Sequence, residues 1–193
     1  MMTQPHTPRA FTLVETMVAV TVLAVALVGP FTAVQNALTA SYTARDNLIA
    51  SALAQEGAEY IRSIRDNNYL NGRTNWMDEL STFTNCFHTN PSGYCTVDPT
   101  QGDIHSDLPA SPAMVGYGNL AALQQHPLYI SSGGLYNQQE VGTRTRFTRS
   151  VQIRCLGASC ATATEVEVTV RVSWVSARQT YTVTVVNNLH NWL

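Results

Sequence analysis

The most constraining feature of this sequence is a long apolar run close to its start. Residues 11–31 read FTLVETMVAVTVLAVALVGPF, and Glu15 is the single charged residue among them. An α-helix rises about 1.5 Å per residue, so about 20 such residues span the ~30 Å hydrocarbon core of a bilayer. The run therefore predicts a membrane-spanning helix.

Two general kinds of N-terminal segment compete as explanations of this run. A secretory signal peptide has a basic region, a shorter apolar stretch and a small-residue cleavage site. Here Arg9 is the single basic residue before the run, and no clear A-x-A cleavage site follows the run. A plain single-pass anchor explains the length but not Glu15, because a carboxylate in hydrocarbon costs about 2.5–3.5 kcal/mol. Glu15 therefore requires a further explanation.

The junction at residues 9–15, RAFTLVE, resembles the processing site of type IV prepilins and pseudopilins. In that superfamily a short polar leader ends in a small residue, and Phe-Thr-Leu-x-Glu opens a long apolar helix. The resemblance implies a leader at residues 1–10, cleavage after Ala10 by the prepilin peptidase, and N-methylation of Phe11. Ala10 stands where the superfamily usually has glycine, and both residues are small.

The resemblance also implies a role for the isolated carboxylate. In the superfamily, the glutamate four residues after the cut pairs with the amine of a neighbouring subunit's first residue. Here Glu15 would pair with Phe11 of another subunit, and a paired buried charge is much less unfavourable than an unpaired one. The residues alone allow an alternative, in which Thr12 and Glu15 form a helix capping box.

An amphipathic pattern continues the helix beyond the apolar run. Gly29 and Pro30 interrupt it first, and an interior proline kinks a helix without necessarily ending it. Apolar residues then recur at spacings of four and seven, which places them on one helical face. They are Leu38, Tyr42, Ile49, Leu53, Tyr60 and Ile64. The pattern predicts a membrane or filament-core segment at residues 11–30 and an amphipathic segment at residues 31–66.

Charge pairs and turn residues indicate where this helix ends. Glu59 with Arg62, and Arg62 with Asp66, have opposite charges at helical separations. Residues that favour a stop or a turn follow directly: Asn67, Asn68, Asn71 and Gly72. A helix ending near Asp66 would be about 80 Å long, which is too long for a compact domain alone.

The rest of the chain, residues 67–193, is called the head. Residues 67–127 are rich in Gly, Pro, Asn, Ser and Asp and predict a loop-rich region with one short helix around residues 76–83. Residues 128–193 instead predict an antiparallel sheet. Its strands are expected around residues 128–130, 147–153, 166–174 and 181–185.

Short joins between these strands favour a sheet whose apolar face lies on helix residues 42–64. The predicted fold class is therefore α+β, with a long N-terminal helix, half membrane-spanning and half packed on the head, and a C-terminal antiparallel β-sheet. This arrangement is also the pilin fold, so the pattern and the resemblance agree over most of the chain.

Four cysteines form two local pairs in the sequence, Cys86 with Cys95 and Cys155 with Cys160. The resemblance implies a head outside the cytoplasm, where two local disulfides are the default. A zinc site that adds His88 to these cysteines is the alternative, although the spacings match no common zinc module. We expect disulfides and no metal.

Three carboxylates lie in one segment, DPTQGDIHSD, at Asp98, Asp103 and Asp107. Carboxylate oxygens are calcium ligands, but this spacing is not that of an EF-hand. A solvated acidic loop is therefore favoured over a calcium site.

All eleven basic side chains are arginine, against thirteen acidic ones, for a formal net charge of -2. This balance gives no global basic field for nucleic acid. The local cluster consists of Arg144, Arg146, Arg149 and Arg154. On a strand, Arg144 and Arg146 face one way and Arg149 the other, which favours a solvated sheet edge over a DNA-binding stripe. Nucleic acid is not an expected partner.

The motifs of common enzyme classes do not appear in the sequence. There is no GxSxG, no HExxH and no phosphate-binding glycine loop, and the five histidines have no nucleophile at a recognisable spacing. The charged fraction of 12% is about half that of ordinary soluble domains. The sequence therefore predicts neither an enzyme nor a cofactor.

The resemblance implies a structural subunit of a type IV pilus, and residues 52–70 further resemble the helix end of PilV-like minor pilins. The alternatives are a pseudopilin of a type II secretion or DNA-uptake system, or a single-pass membrane-anchored enzyme or binding protein. Adhesion, priming of assembly, DNA capture and secretion all fit such a head, and the resemblance to pilus subunits also implies a part in twitching motility.

The implied partners are other pilin subunits, the prepilin peptidase, the assembly platform and, before assembly, membrane lipid. The implied location is the cytoplasmic (inner) membrane, crossed once with the head outside the cytoplasm. An extracellular or periplasmic filament would follow.

Overall fold

The computed structural model describes residues 10–78, 80, 86, 93–101, 114–156, 163–176 and 178–192. The chain divides into two compact units, Met1–Asp46 and Asn47–Leu193. The elements in chain order are α1 (Leu13–Leu70), β1 (Tyr94–Val97), β2 (Met114–Tyr117), α2 (Leu120–Gln124), β3 (Tyr129–Ile130), β4 (Tyr136–Asn137), β5 (Thr143–Arg144), β6 (Thr148–Cys155), β7 (Glu165–Ser176) and β8 (Gln179–His190).

Helix α1 confirms the predicted long N-terminal helix and includes Pro30. It continues to Leu70, so the predicted end near Asp66 is too early. Asn68, one of the predicted stop residues, is instead buried within the last turns of the helix. Its side-chain amide donates hydrogen bonds to the carbonyls of Trp76 at 3.1 Å and Asp78 at 2.6 Å. A polar residue is favourable here because it holds the segment that follows the helix.

The chain leaves α1 through a glycine in the left-handed conformation. Gly72 has φ +64°, and its N–H donates to the Tyr69 carbonyl at 3.0 Å. The Arg73 N–H donates to the Asn68 carbonyl, also at 3.0 Å. These two bonds define a Schellman motif, which satisfies carbonyls that the end of a helix otherwise leaves free.

A five-stranded antiparallel sheet, ordered β2-β1-β6-β7-β8, forms the main layer of the second unit. Strands β6, β7 and β8 confirm the predictions around residues 147–153, 166–174 and 181–185, and β7 and β8 extend beyond the predicted ranges. The helix and this sheet together confirm the α+β fold class.

The loop-rich prediction for residues 67–127 misses two strands of this sheet. Three of the four residues of β1 are buried, so its two faces are both covered and the alternation that reveals a half-exposed strand is lost. Helix α2 was also missed; the Asn119 side chain caps it by accepting a bond from the Ala122 N–H at 2.8 Å. In the predicted helix around residues 76–83, residues 76–78 and 80 form turns and the others lie outside the described residues.

The fourth predicted strand, around residues 128–130, is wrongly assigned to the main sheet. Strand β3 lies in a separate three-stranded sheet ordered β4-β3-β5. The strands of this sheet pair over two residues each, and Tyr129 lies opposite both Asn137 and Arg144. The two sheets are connected by backbone bonds, since the Leu128 N–H donates to the Phe147 carbonyl at 2.8 Å.

The core of the second unit lies between the main sheet and one face of α1. The helix contributes mainly small and branched residues: Ala50, Leu53, Ala54, Ala58, Ile61 and Ile64. The sheet contributes alternate residues of β7: Val166, Val168, Val170, Val172 and Trp174. The predicted contact of sheet and helix is confirmed over residues 50–64, but Leu38 and Tyr42 are exposed and do not belong to this face.

One of the two predicted ion pairs on α1 is confirmed. Arg62 lies 2.8 Å from Glu59. Asp66 instead lies 2.7 Å from Arg65, whose side chain is almost fully buried. The pair with the more buried arginine is formed because an uncompensated buried charge is the costlier one.

Candidate subunit-docking site

The start of α1 is capped by residues of the predicted processing motif. Thr12 precedes the first helical residue, and its Oγ1 accepts a hydrogen bond from the Glu15 N–H at 3.3 Å. The Thr12 carbonyl accepts from the Thr16 N–H at 3.2 Å. This is one half of a capping box, because the threonine side chain satisfies one of the free N–H groups at the helix start.

The carboxylate of Glu15 takes no part in that cap. Glu15 is exposed, and none of the residues that the structure describes donates a hydrogen bond to its carboxylate or forms an ion pair with it. Phe11, the predicted first residue of a processed chain, is 77% exposed, and Ala10 beside it is exposed as well. The backbone of Glu15 is therefore used locally, while its charge is available to a partner.

Threonine hydroxyls in the apolar segment are satisfied within the helix. Thr16 donates to the Leu13 carbonyl and Thr21 to the Val18 carbonyl, each at 2.8 Å. Such bonds allow a polar side chain to lie in apolar surroundings without an unpaired donor. Glu15 is thus the residue of this segment that most needs a partner from outside the helix.

Gly29 and Pro30, the predicted kink, lie inside α1. Proline has no N–H, so the carbonyl four residues earlier, at Ala26, loses its usual helical donor. Just beyond, the Thr32 hydroxyl donates to the carbonyls of Val28 at 3.2 Å and Gly29 at 2.8 Å. The helix is locally weaker here than on either side, and the bend itself stays a prediction.

The apolar side chains of this segment are exposed. They include Leu13, Val14, Met17, Val18, Val20, Val22, Leu23, Val25, Leu27 and Val28. Within the described part of the chain, α1 is the one helix long and apolar enough to cross a membrane, by length and composition. Exposed apolar surface of this extent is typical of a segment that is covered by lipid or by protein.

A disulfide joins Cys86 to Cys95, the first of the two local cysteine pairs in the sequence. Cys155 is also disulfide-bonded, and Cys160 lies outside the described residues. His88, the further zinc ligand considered from the sequence, lies outside them too. Among the residues that are described, no three His, Cys, Asp or Glu side chains are grouped as a metal site.

The interpretation of Asp98 as part of a solvated acidic loop is wrong. Asp98 is buried, and its carboxylate accepts hydrogen bonds from the Thr100 N–H at 3.0 Å and the Thr100 hydroxyl at 2.6 Å. Its other oxygen accepts from the Gln138 N–H at 2.8 Å. Asp98 therefore fastens the end of β1 to the segment after β4. Asp103 and Asp107 lie outside the described residues.

The assignment of Arg149 to a solvated sheet edge is also wrong, because its side chain is fully buried. Its guanidinium donates to the carbonyls of Leu53 at 3.1 Å and Val97 at 2.7 Å. It also forms an ion pair with Glu56 at 2.5 Å. One side chain thus ties together α1, β1 and β6.

Burial lowers the pKa of the Arg149 guanidinium, and the adjacent Glu56 carboxylate acts in the opposite direction. None of the residues that the structure describes accepts a hydrogen bond from Arg149 Nε, so the compensation among them is incomplete. A buried charge of this kind persists only where bonds to carbonyls and a counter-charge offset its loss of hydration.

The other members of the arginine cluster are exposed, as predicted. Arg144 and Arg146 precede β6, and Arg154 near its end forms an ion pair with Glu167 at 3.1 Å. The cluster is therefore split between one buried guanidinium, that of Arg149, and three exposed ones, and it does not form one continuous stripe.

A long N-terminal helix with an exposed apolar segment, followed by an antiparallel sheet, is an α+β pilin-like arrangement. Residues 7–29 match the family model described as the prokaryotic N-terminal methylation motif. This motif indicates a type IV pilin-like or pseudopilin protein, which is structural. It implies processing by the prepilin peptidase and assembly with other pilin subunits, and with the apolar helix it suits membrane anchoring. No curated protein and no solved structure matches the chain.

Proposed function

We propose that this chain is a minor pilin of a type IV pilus. It is cleaved after Ala10, N-methylated at Phe11, and held in the cytoplasmic membrane by α1 with the head outside. It then enters the filament when Glu15 docks on the Phe11 amine of a neighbouring subunit.

The observation that carries this proposal is the exposed Glu15 carboxylate in an otherwise apolar segment. Its N–H is capped by Thr12, whereas its charge has no partner among the residues that the structure describes. Taken into an apolar filament core, an unpaired carboxylate is strongly disfavoured, and a counter-charge removes much of that penalty. Docking in register is thus favoured over docking out of register.

The composition of the chain restricts what that counter-charge can be. The sequence has no lysine, so side chains of this protein provide no amine. Between copies of this chain, the N-terminal amine created by cleavage is then the amine available to Glu15. The next arginine in the chain, Arg45, lies 14 residues beyond the end of the apolar segment at residue 31.

The interruption of the helical hydrogen bonds at Pro30, next to Gly29, is a position at which the conformation of α1 can change. A backbone carbonyl without its helical donor is a weak point. We include in the proposal that α1 bends or melts locally here as the subunit moves from the bilayer into the filament. The Thr32 hydroxyl, which already bonds to two carbonyls there, would limit the number of unpaired groups.

The test replaces Glu15 with Val and with the isosteric Gln, and measures the subunit in sheared filaments and in the membrane fraction. Losing the partner of a buried amine costs about 3–5 kcal/mol. We therefore expect at least a tenfold fall in the filament fraction, with unchanged amounts in the membrane. Mass spectrometry of the wild-type filament subunit should find N-methyl-Phe11 at its start.

Glu59→Gln is the matched control, because Glu59 is an exposed glutamate on the same helix. It should leave incorporation unchanged. Equal incorporation of Glu15→Val and wild type would contradict the pairing. A mature chain that keeps Met1, or one cut beyond Gly29, would overturn the assignment as a pilin.

A further inference from the structure

Strand β8 lies at an edge of the main sheet. It pairs with β7, and among the residues that the structure describes it has no partner strand on its other side. The edge is long, because β8 pairs with β7 over its whole length, Gln179–His190. Strand β2, at the opposite edge, has four residues. A long open edge presents a row of unpaired backbone groups to which another strand can bind.

The hydrogen bonds between β7 and β8 determine which backbone groups of β8 point outward. Just beyond β8, the Asn191 N–H donates to the Thr164 carbonyl at 2.8 Å, in the register that places Glu165 opposite His190. Hydrogen-bonded and non-hydrogen-bonded pairs alternate along an antiparallel ladder, so the odd-numbered residues of β8 bond to β7. The N–H and C=O groups of the even-numbered residues therefore point away from the sheet. These residues are Thr180, Thr182, Thr184, Val186, Asn188 and His190.

Strand β8 has none of the usual features that protect an open edge. Sheets of soluble proteins block their edges with charged side chains, with proline or with bulges. The sequence of β8, QTYTVTVVNNLH, contains no Asp, Glu, Arg, Lys or Pro. Its residues pair one to one with those of β7, so the strand has no bulge. The edge is therefore regular and uncharged, which suits a partner strand without charged side chains.

The apolar layer of the core is incomplete at β8. On β7, Val170 and Val172 are fully buried. Opposite them on β8, Val185 and Val183 pack against the core but are only half-buried, as is Tyr181. The other face of β8 has exposed hydroxyls at Thr180, Thr182 and Thr184. An added strand would cover the half-buried row and extend the hydroxyl row, so its residues should alternate between apolar and hydroxyl side chains.

A second copy of this chain fits the edge less well. Antiparallel pairing of two β8 strands relates the copies by a twofold axis perpendicular to the sheet. Helix residues 50–64, which lie against the sheet, would then run in opposite directions in the two copies. Subunits that share one membrane or one filament run in the same direction, so the proposed function disfavours this pairing. Parallel pairing with the four-residue β2 of another copy would leave most of the edge open.

We propose that β8 binds an extended, uncharged segment of a different polypeptide, which adds a strand to the main sheet. The segment alternates apolar and hydroxyl side chains over about ten residues, the length that β8 can pair with. Its backbone bonds to the even-numbered residues of β8, and its apolar side chains cover Tyr181, Val183 and Val185. The open edge does not depend on the proposed function, but the choice of a different polypeptide over a second copy rests on it.

Hydrogen exchange of the full chain in nonionic detergent micelles, resolved by NMR, tests whether the edge is open. In the free chain we expect the amides of Val183 and Val185, which bond to β7, to exchange at least tenfold more slowly than those of Thr182 and Thr184. Slow exchange of both pairs in the free chain would show that the edge is already covered, and it would overturn the proposal.

Binding is measured with an amidated decapeptide of alternating threonine and valine that carries fluorescein at its N-terminus. The full chain in micelles is titrated against it and followed by fluorescence anisotropy. We expect saturable binding, and slow exchange of the Thr182 and Thr184 amides in the complex. Thr184→Pro removes one outward N–H and keeps the bonds to β7, so a peptide carbonyl loses its donor and binding should weaken about tenfold.

Thr184→Val is the matched control, since it keeps that N–H, and it should bind as wild type does. Circular dichroism checks the fold of each variant, and the exchange measurement on the wild-type complex decides the question even where Thr184→Pro fails to fold. Lack of saturable binding, binding without slowed exchange at Thr182 and Thr184, or equal affinities of the two folded variants would each overturn the proposal. A wild-type dimer that Thr184→Pro dissociates would assign the edge to a second copy and overturn it as well. None of these outcomes alters the filament test at Glu15.

Discussion

The two units of this protein differ in how far the apolar side chains of α1 are buried. In Met1–Asp46 the large apolar residues of α1 are exposed, as in Leu23 at 61%. In Asn47–Leu193 the same helix buries its apolar face against the sheet, as in Leu53 at 4%. The first unit therefore depends on lipid or other subunits for its contacts, whereas the second provides its own.

Two glutamates on α1 differ in the same way, in whether their charge is paired within the chain. Glu56 pairs with the buried Arg149 of its own chain. Glu15 has no partner among the described residues. A charge that is satisfied internally stabilises a fold, and one that is unsatisfied favours association. The comparison predicts that substitutions in the second unit alter stability, while those in the first alter assembly.

The largest effect on stability is expected from Arg149→Ala. It removes the ion pair with Glu56 and the bonds to two carbonyls, and it leaves a cavity, so we expect a loss of about 3–5 kcal/mol in the free energy of unfolding. Urea unfolding of the full chain in micelles, followed by tryptophan fluorescence, measures it, because Trp174 is buried near Phe147. Arg154→Ala on the same strand should cost at most about 1 kcal/mol; equal losses would refute this role of Arg149.

The same substitution at two positions of α1 tests the comparison directly. Leu53→Ala removes a buried side chain and should lower the free energy of unfolding of the second unit by about 2–5 kcal/mol. Leu23→Ala should change it by less than about 0.5 kcal/mol, because its side chain is exposed. In the filament assay we expect the opposite ranking, in which Leu23→Ala reduces incorporation more than Leu53→Ala does. A large effect of Leu23→Ala on unfolding would break the comparison.

A smaller effect is expected at Gly57, where the helix approaches the sheet closely. A Cβ here would lie 3.1 Å from Val170 Cγ1 and 3.2 Å from Arg149 Cδ. Gly57→Ala should therefore cost about 1 kcal/mol, since crowding exceeds the gain in helix propensity. At Gly29 no atom of the described part of the chain lies within 4 Å of the same position. Gly29→Ala should leave unfolding of the second unit unchanged, and a stabilising Gly57→Ala would show that the contact relaxes freely.

Much of the fold could be predicted from periodicity in the sequence. The apolar run and its continuation indicated α1, and strict alternation along β7 indicated a strand with one buried face. These signals are strong because each element has one consistently apolar side. Strand β1 gave no such signal, since burial on both faces removes the alternation.

The site could be predicted only where a local motif defines it. The residues around Glu15 are adjacent in sequence, so their pattern was visible. Arg149 and Glu56 are 93 positions apart, and their pairing depends on the tertiary structure. One signal was present, because Arg149 shares the apolar face of β6 with Val151 and Ile153, where a solvated charge is unfavourable. An isolated glycine at position 57, within a helical pattern, was a second indication of close packing.

The bond from Arg149 to the Leu53 carbonyl also bears on the order in which the second unit forms. It spans 96 positions, and the ribosome completes the helix long before it adds β6. Closing so long a loop costs more entropy than local helix formation and is slower. Until then Glu56 remains hydrated and the small-residue face of the helix is uncovered. The bond from Arg149 is therefore a late contact, made when the C-terminal strands pack on a helix that has already formed.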